Sequence, residues 1–237
     1  MMEVSVPSWV ISGTYADNLR FLQDKSMISS VELLFFLYDP EVCAQLHSEL
    51  DTIRDFAGRF SYTVHLPDNL TAEHEELIEL LAPLARLFIV HPPKKDGTGL
   101  EVHVDRWITR YGPRFLVENT RTDRFAAFQP LVPHAGICMD AGHLVLGGEN
   151  PAAFAELWND RIAEIHLHGV DGRAALEDGK LPDHRRLSGD ETWLAELEPF
   201  LRSFTGTLNI EVFSWEEAEP TLRLLDQRGI IPHRSAT

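Results

Sequence analysis

Residues 161–170 read RIAEIHLHGV, an apolar, β-branched run that ends in two histidines separated by one leucine. Alternate residues of a strand point to one face, so His166 and His168 converge at the tip of what the pattern makes a buried strand. Paired imidazoles in that place suit a metal ion. Seven further runs have the same short apolar form: PSWVIS (7–12), SVELLFF (30–36), SYTVHL (61–66), RLFIVH (86–91), RFLVEN (114–119), AGICMD (135–140) and LNIEVF (208–213). With 162–168 they make eight strand candidates.

The runs alternate with segments of helical periodicity, the arrangement that crossover helices impose on a parallel sheet. PEVCAQLHSELDTIRDFAG (40–58) opens with proline after Asp39 and closes at Gly58, and TAEHEELIELLAPLAR (71–86) opens at Thr71. ETWLAELEPFLRSF (191–204) and SWEEAEPTLRLLDQRG (214–229) each contain a proline expected to mark a start, an end or a kink. Eight strand–helix units over residues 1–237 read as one lean (β/α)8 TIM-barrel domain. An open doubly wound sheet is the competing reading, but no glycine-rich phosphate turn follows the first strand.

Bulk properties narrow the function. The longest apolar run, VELLFFLY (31–38), is too short to cross a bilayer, and MMEVSVPSWV lacks the form of a secretion signal, so a cytoplasmic protein without a membrane partner is expected. Cys43 and Cys138 make no disulfide framework, and Cys138 reads as a small core hydrophobe. A net charge of −16 disfavours a nucleic acid partner. A small-molecule substrate is expected, and the oligomeric state is left open.

In a (β/α)8 barrel the reactive groups stand at the C-terminal ends of the strands. His65 and His91 end the third and fourth runs, and Glu118 lies in the fifth. Asp140 ends the sixth with His143 close behind, His166 and His168 end the seventh, and Glu211 lies in the eighth. Singly, each has a plain structural reading: His65 and His91 as polar strand ends, Asp140 as a helix cap, one of the histidine pair as a satisfied core residue. Glu118 and Glu211 resist it, because a carboxylate among apolar strand residues is costly unless paired or metal-bound. Together, six consecutive strands supply ligand-type side chains at one end. Imidazole and carboxylate without thiolate suit a catalytic zinc, manganese, iron or cobalt ion, with zinc first.

At these residues the chain resembles the xylose-isomerase-like TIM barrels, the superfamily that includes the endonuclease IV type of AP endonuclease. The resemblance implies a core metal site of Glu118 (LVENT), Asp140 (CMDAGH), His168 (HLHGVD) and Glu211 (NIEVF), with His168 preferred over His166 because Asp171 follows it by three residues. Two chemistries branch from it. Sugar isomerases and epimerases need one metal, with the two glutamates as acid and base. The phosphodiester-cleaving branch adds histidines matching His65, His91 and His143, and an Asp-x-His loop, here altered to the adjacent Asp183 and His184. One to three divalent ions are implied, with Glu118, His168 and Glu211 catalytic: Glu118 bridging ions, Glu211 holding an ion or positioning the attacking water.

The stretches PSWVISGTYADNLRFL, VELLFF and HLHGVDGR…DH further resemble the cobamide-remodelling phosphodiesterases, which implies hydrolysis of the nucleotide-loop phosphodiester of a vitamin B12-type corrinoid to cobinamide phosphate. Trp9, Tyr15 and Phe36 are then candidates for contact with the corrin edge. Lys94, Lys95, Arg121, Arg124, Arg173 and Arg185 are candidate phosphate handles, foremost Lys94, Arg121 and Arg173. The alternatives are a sugar or sugar-phosphate isomerase or epimerase, and a non-catalytic barrel that holds the same ligands.

Overall fold

The computed structural model describes residues 2–95, 97–171 and 182–232. Eight parallel strands close into a barrel in chain order: β1 (Glu3–Pro7), β2 (Ser30–Leu34), β3 (Ser61–His65), β4 (Ala85–Val90), β5 (Phe115–Glu118), β6 (Gly136–Asp140), β7 (Ile162–Leu167) and β8 (Thr207–Ile210). The seam is closed by β1 on β8, with Ser5 opposite Asn209. Seven strands lie within a few residues of their expected places. The first does not: 7–12 is mostly the loop after β1, and the strand itself is the preceding EVSVP.

Helices α1 (Tyr15–Leu22), α2 (Pro40–Asp55), α3 (Glu75–Leu81), α4 (Leu100–Tyr111), α5 (Thr122–Phe128), α6 (Ala141–Leu146), α7 (Pro151–Trp158), α8 (Thr192–Ser203) and α9 (Trp215–Gln227) lie in the connections between strands and after β8. Their starts follow capping chemistry. Asp39 accepts from the backbone N–H groups of Glu41 and Val42, Asn150 from those of Ala152 and Ala153, and Ser214 from that of Glu217. Helices α8 and α9 continue through Pro199 and Pro220, so neither proline marks a start or an end. The main core lies between sheet and helices, where Leu46, Ile53, Trp107, Leu194 and Leu222 are fully buried against the outward strand residues.

The barrel lumen is divided. On one side Ile89, Leu116 and Cys138 form a small apolar cluster of their own, where Cys138 packs as a small buried residue whose thiol also reaches the His166 imidazole. On the other side Ser5, Glu32, Thr63, Glu164, His166, Thr207 and Asn209 are all buried. Bulky branched residues usually fill this space. Here polar groups do, directly below the rim where the ligand-type side chains gather.

Candidate metal centre

Glu118, at the end of β5, is buried at 1 % exposure, and its carboxylate collects imidazoles from four other places in the chain. Nε2 of His65 and of His91 each stand 3.2 Å from Oε2, His143 Nδ1 stands 3.4 Å from Oε1, and His166 Nδ1 is 3.5 Å from Oε2. Asp140, at the end of β6, faces His143 Nδ1 at 2.9 Å and His168 Nε2 at 3.2 Å. Glu211, just beyond β8, faces His166 Nδ1 at 3.1 Å and His184 Nδ1 at 3.6 Å. Nine of the ten sequence-derived ligands thus join one network.

The tenth, Asp183, is half-buried beside His184, and it is His184 that enters the site. Its ring stacks on His168 at 4.2 Å and packs against Phe213 at 4.7 Å. His184 has φ +49°, the left-handed region that L residues with a Cβ seldom adopt, so its surroundings must hold it there. His166 and His168 share a face, as alternation requires, but at different depths. His168 stands at the rim beside Asp140, whereas His166 reaches below it, with Nε2 2.9 Å from Glu32 Oε2.

Local structure fixes these placements. Asp140 is both strand end and N-cap of α6, its Oδ1 accepting from the His143 N–H at 2.7 Å, which brings His143 to the same site. Asn119 clamps the Asp140 backbone from the neighbouring strand end: its Nδ2 donates to the Asp140 carbonyl at 2.8 Å and its Oδ1 accepts from the Asp140 N–H at 2.9 Å. A Cβ on Gly142 would overlap the His168 ring, so the first turn of α6 is shaped to receive that imidazole. Asp68 faces His91 Nδ1 at 2.8 Å and so turns Nε2 toward Glu118, the orienting contact a metal-ligating histidine usually has.

Electrostatics agree with a cation-seeking site. Burial alone would push the Glu118 carboxyl up, yet the charge of His91 and hydrogen bonds from His143, His65 and His91 hold it well below the usual range. Burial is likewise outweighed at Asp140 by His143 and His168, and at Glu211 by His166 and His184, leaving both lowered. On the partner side, burial opposes the charged imidazole, but Glu118 and Asp68 push His91 up to about 10, and Asp140 and Glu118 push His143 up to about 12. In the metal-free protein, protons on imidazoles supply the positive charge that the carboxylates demand.

The residues fit divalent ions by donor chemistry and by unmet bonding capacity. His65–His91–Glu118, Glu118–Asp140–His143 and His143–His168–His184 each offer three nitrogen or oxygen atoms lying within 4.8 Å of one another. Buried His143 Nδ1 and Glu211 Oε2 make no aligned hydrogen bond among the described residues despite their close neighbours. These three sets, of imidazole and carboxylate donors, are those of catalytic zinc, manganese or iron sites, and a further set, Glu118–Cys138–His166, adds one buried thiol.

Around the centre the expected substrate contacts separate. Trp9 is 53 % and Phe36 46 % exposed, and Phe36 meets Phe213 edge-on at 5.7 Å and lies 6.4 Å from the His65 ring. Tyr15 is largely buried, packed into the core with its hydroxyl donating to the Leu34 carbonyl, so it offers little surface to a corrin edge. Lys94 pairs with Asp68 at 2.9 Å, Arg121 with Asp123 at 3.3 Å and Arg185 with Glu217 at 2.8 Å, while Lys95 is exposed and Arg124 half-buried. Arg173 lies outside the described residues. The contributors that sequence reasoning missed are Asp68, Asn119, Phe213, Glu32 and Glu164. Of these only Asp68 carried a visible signal, three residues after His65 in VHLPD.

No protein-family model and no curated protein matches the chain. Solved structures do. A xylose isomerase domain protein from Alicyclobacillus acidocaldarius superposes with TM-score 0.63 at 19 % identity, covering 98 % of each chain. The IolI protein, solved with a bound zinc atom, gives TM-score 0.65 at 14 % identity over 95 % of this chain and 96 % of its own. D-allulose 3-epimerase from Methylomonas sp., solved with D-allulose, gives 0.59 at 16 % identity over 97 % and 89 %. The fold is that of the xylose-isomerase-like (β/α)8 barrels.

Proposed function

We propose that the chain is a metal-dependent phosphodiesterase acting on a small molecule, the nucleotide-loop phosphodiester of a cobamide, with cobinamide phosphate as the corrinoid product. The observation that supports it is the surplus of ligands. Glu118, Asp140, His168 and Glu211 would hold one ion, yet His65 and His91 also converge on Glu118, His143 stands between Asp140 and Glu118, and His184 stacks on His168. Such a set suits two or three ions with Glu118 shared between them.

Divalent ions on these residues would polarise phosphoryl oxygens, make water a nucleophile at neutral pH and stabilise the departing alkoxide. The chain's own part is placement. Glu118, gripped by four imidazoles, keeps the two halves of the rim in register. Glu211, facing the rim between His166 and His184, orients the attacking water and receives its proton at Oε2. His168 holds its ring between Asp140 and His184. Phe36 and Trp9 offer apolar surface to the substrate beside this rim.

A second reading has its own support: a one-metal sugar isomerase or epimerase, in which Glu118 and Glu211 act as acid and base on either side of His166. The names of the fold's solved neighbours stand on this side, and none of the three mentions a corrinoid. One experiment separates the two. The metal-loaded protein is incubated with intact cobamides, whose products are followed by mass, and in parallel with ketoses in deuterated water. Release of cobinamide phosphate selects the first reading. Deuterium incorporation into sugar, with every cobamide recovered intact, selects the second.

A further inference from the structure

Below the rim the lumen presents two carboxylates that neither reading uses, set beneath His166 of the rim network. Glu32 on β2 and Glu164 and His166 on β7 have no exposed surface, and their ligand-type atoms lie within 4.8 Å of one another. His166 Nε2 is 2.9 Å from Glu32 Oε2 and 3.9 Å from Glu164 Oε1. Atoms bound to one divalent ion at about 2.0–2.2 Å stand roughly 3–4.4 Å apart, depending on the angle between them. The observed spacings fall at or within that range.

The polar atoms in and around the cluster are incompletely bonded. Glu32 Oε2, Glu164 Oε2, both His166 nitrogens, Thr207 Oγ1, Asn209 Oδ1 and Ser5 Oγ are buried and make no aligned hydrogen bond among the described residues. Strand register places them together: Thr207 is opposite Glu164, and Asn209 is opposite both His166 and Ser5. The Asn209 amide is turned to the cluster, its Nδ2 donating to Glu32 Oε1 at 2.9 Å and its Oδ1 left over. Buried polar atoms in native proteins nearly always have partners, so this many orphans in one place call for an occupant. Two buried carboxylates beside a single imidazole call for a positive one.

We infer that the lumen holds a divalent cation on Glu32, Glu164 and His166, one layer below the rim and independent of which reaction the rim performs. Two carboxylates with one imidazole make an oxygen-rich donor set that accepts manganese. Coordination through Nε2 leaves the proton of His166 on Nδ1, the atom facing Glu211 at 3.1 Å and Glu118 at 3.5 Å. His166 thereby becomes a positioning residue, with a cation below it and two rim carboxylates above. The rival occupant is water with Glu164 protonated, a form that burial and the neighbouring Glu32 favour when no ion is present.

The test uses protein produced in manganese-supplemented medium. Anomalous diffraction at a wavelength where manganese scatters is expected to show a peak among Glu32, Glu164 and His166 besides those at the rim. Metal analysis of the Glu32→Gln/Glu164→Gln variant is expected to show one equivalent fewer than the parent. Rim peaks with an empty lumen, or an unchanged metal content in a folded variant, overturn the inference and leave the proposed function standing. Absence of metal at the rim overturns that function separately. If the variant does not fold, the anomalous map of the unaltered protein decides alone.

Discussion

Glu118 is buried within 3.5 Å of four imidazoles, so its charge is the common counterion of His65, His91, His143 and His166. Glu118→Gln keeps the shape but removes that charge and replaces one acceptor oxygen with a donor facing imidazole nitrogens. Metal content is expected to fall and turnover to drop by at least about 100-fold, with the far-ultraviolet circular dichroism of the folded barrel retained. A fully metallated, active variant would remove Glu118 from the centre. Asn119 acts differently, through the backbone of Asp140. Asn119→Ala leaves a buried N–H and a buried C=O without partners, each worth about 1–3 kcal/mol. Urea unfolding should show a loss of a few kcal/mol, and a loss below about 1 kcal/mol would mean that water replaces the clamp. The ligands themselves were legible because histidines and carboxylates at the ends of apolar runs stand out. Asn119 and Phe213 did not, since neither residue type is unusual beside a strand and only the barrel's closure brings them to the rim.

At the level of elements, β1 shows where pattern reading fails. A strand buried on both faces reads as a continuous apolar run, and the loop after it is also partly buried, with Val10 at 1 % exposure, so EVSVPSWVIS carries no polar mark at the strand's end. From β3 to β8 the strands end at a histidine, glutamate or aspartate or just before one, which marks their tips in the sequence. The prolines of α8 and α9 misled for a related reason: a proline costs about 3 kcal/mol in a helix interior, a sum that packing through Leu194, Leu197 and Leu201 in α8 and Leu222 and Leu225 in α9 offsets. The opposite conflict arises in α6. By helix propensity Gly142→Ala should stabilise by up to about 1 kcal/mol, but the added methyl collides with the His168 ring. Displacement of the ring is expected to prevail, so that the variant folds, binds less metal than the parent and shows His168 moved in its crystal structure. Unchanged metal content with a raised melting temperature would mean that the helix, not the ring, yields.

For the whole molecule, five carboxylates, Glu32, Glu118, Asp140, Glu164 and Glu211, are buried together at the rim and in the lumen. The fold is legible because eight repeats of one pattern over-determine a barrel, and the lumen is not, because nothing in the sequence around Glu32 and Glu164 distinguishes them from solvent-facing polar strand residues. Their burial becomes evident only when the sheet closes and no solvent-facing side remains. The same closure makes metal content a stability term. An ion that binds the folded chain and not the unfolded one stabilises it by about 2.7 kcal/mol at a free concentration 100 times its dissociation constant. For a chain of this size each kcal/mol moves the melting temperature by about 2–4 °C. Dialysis against a strong chelator should therefore lower the midpoint by roughly 5–10 °C per ion lost, and stoichiometric zinc or manganese should restore it. Sodium chloride at matched ionic strength should not, because buried pairs are screened far less than exposed ones. A midpoint indifferent to chelation, in protein verified to have lost its metal, would mean that protons on His91 and His143 satisfy the carboxylates as well as cations do, and the rim would have to be explained without metal chemistry.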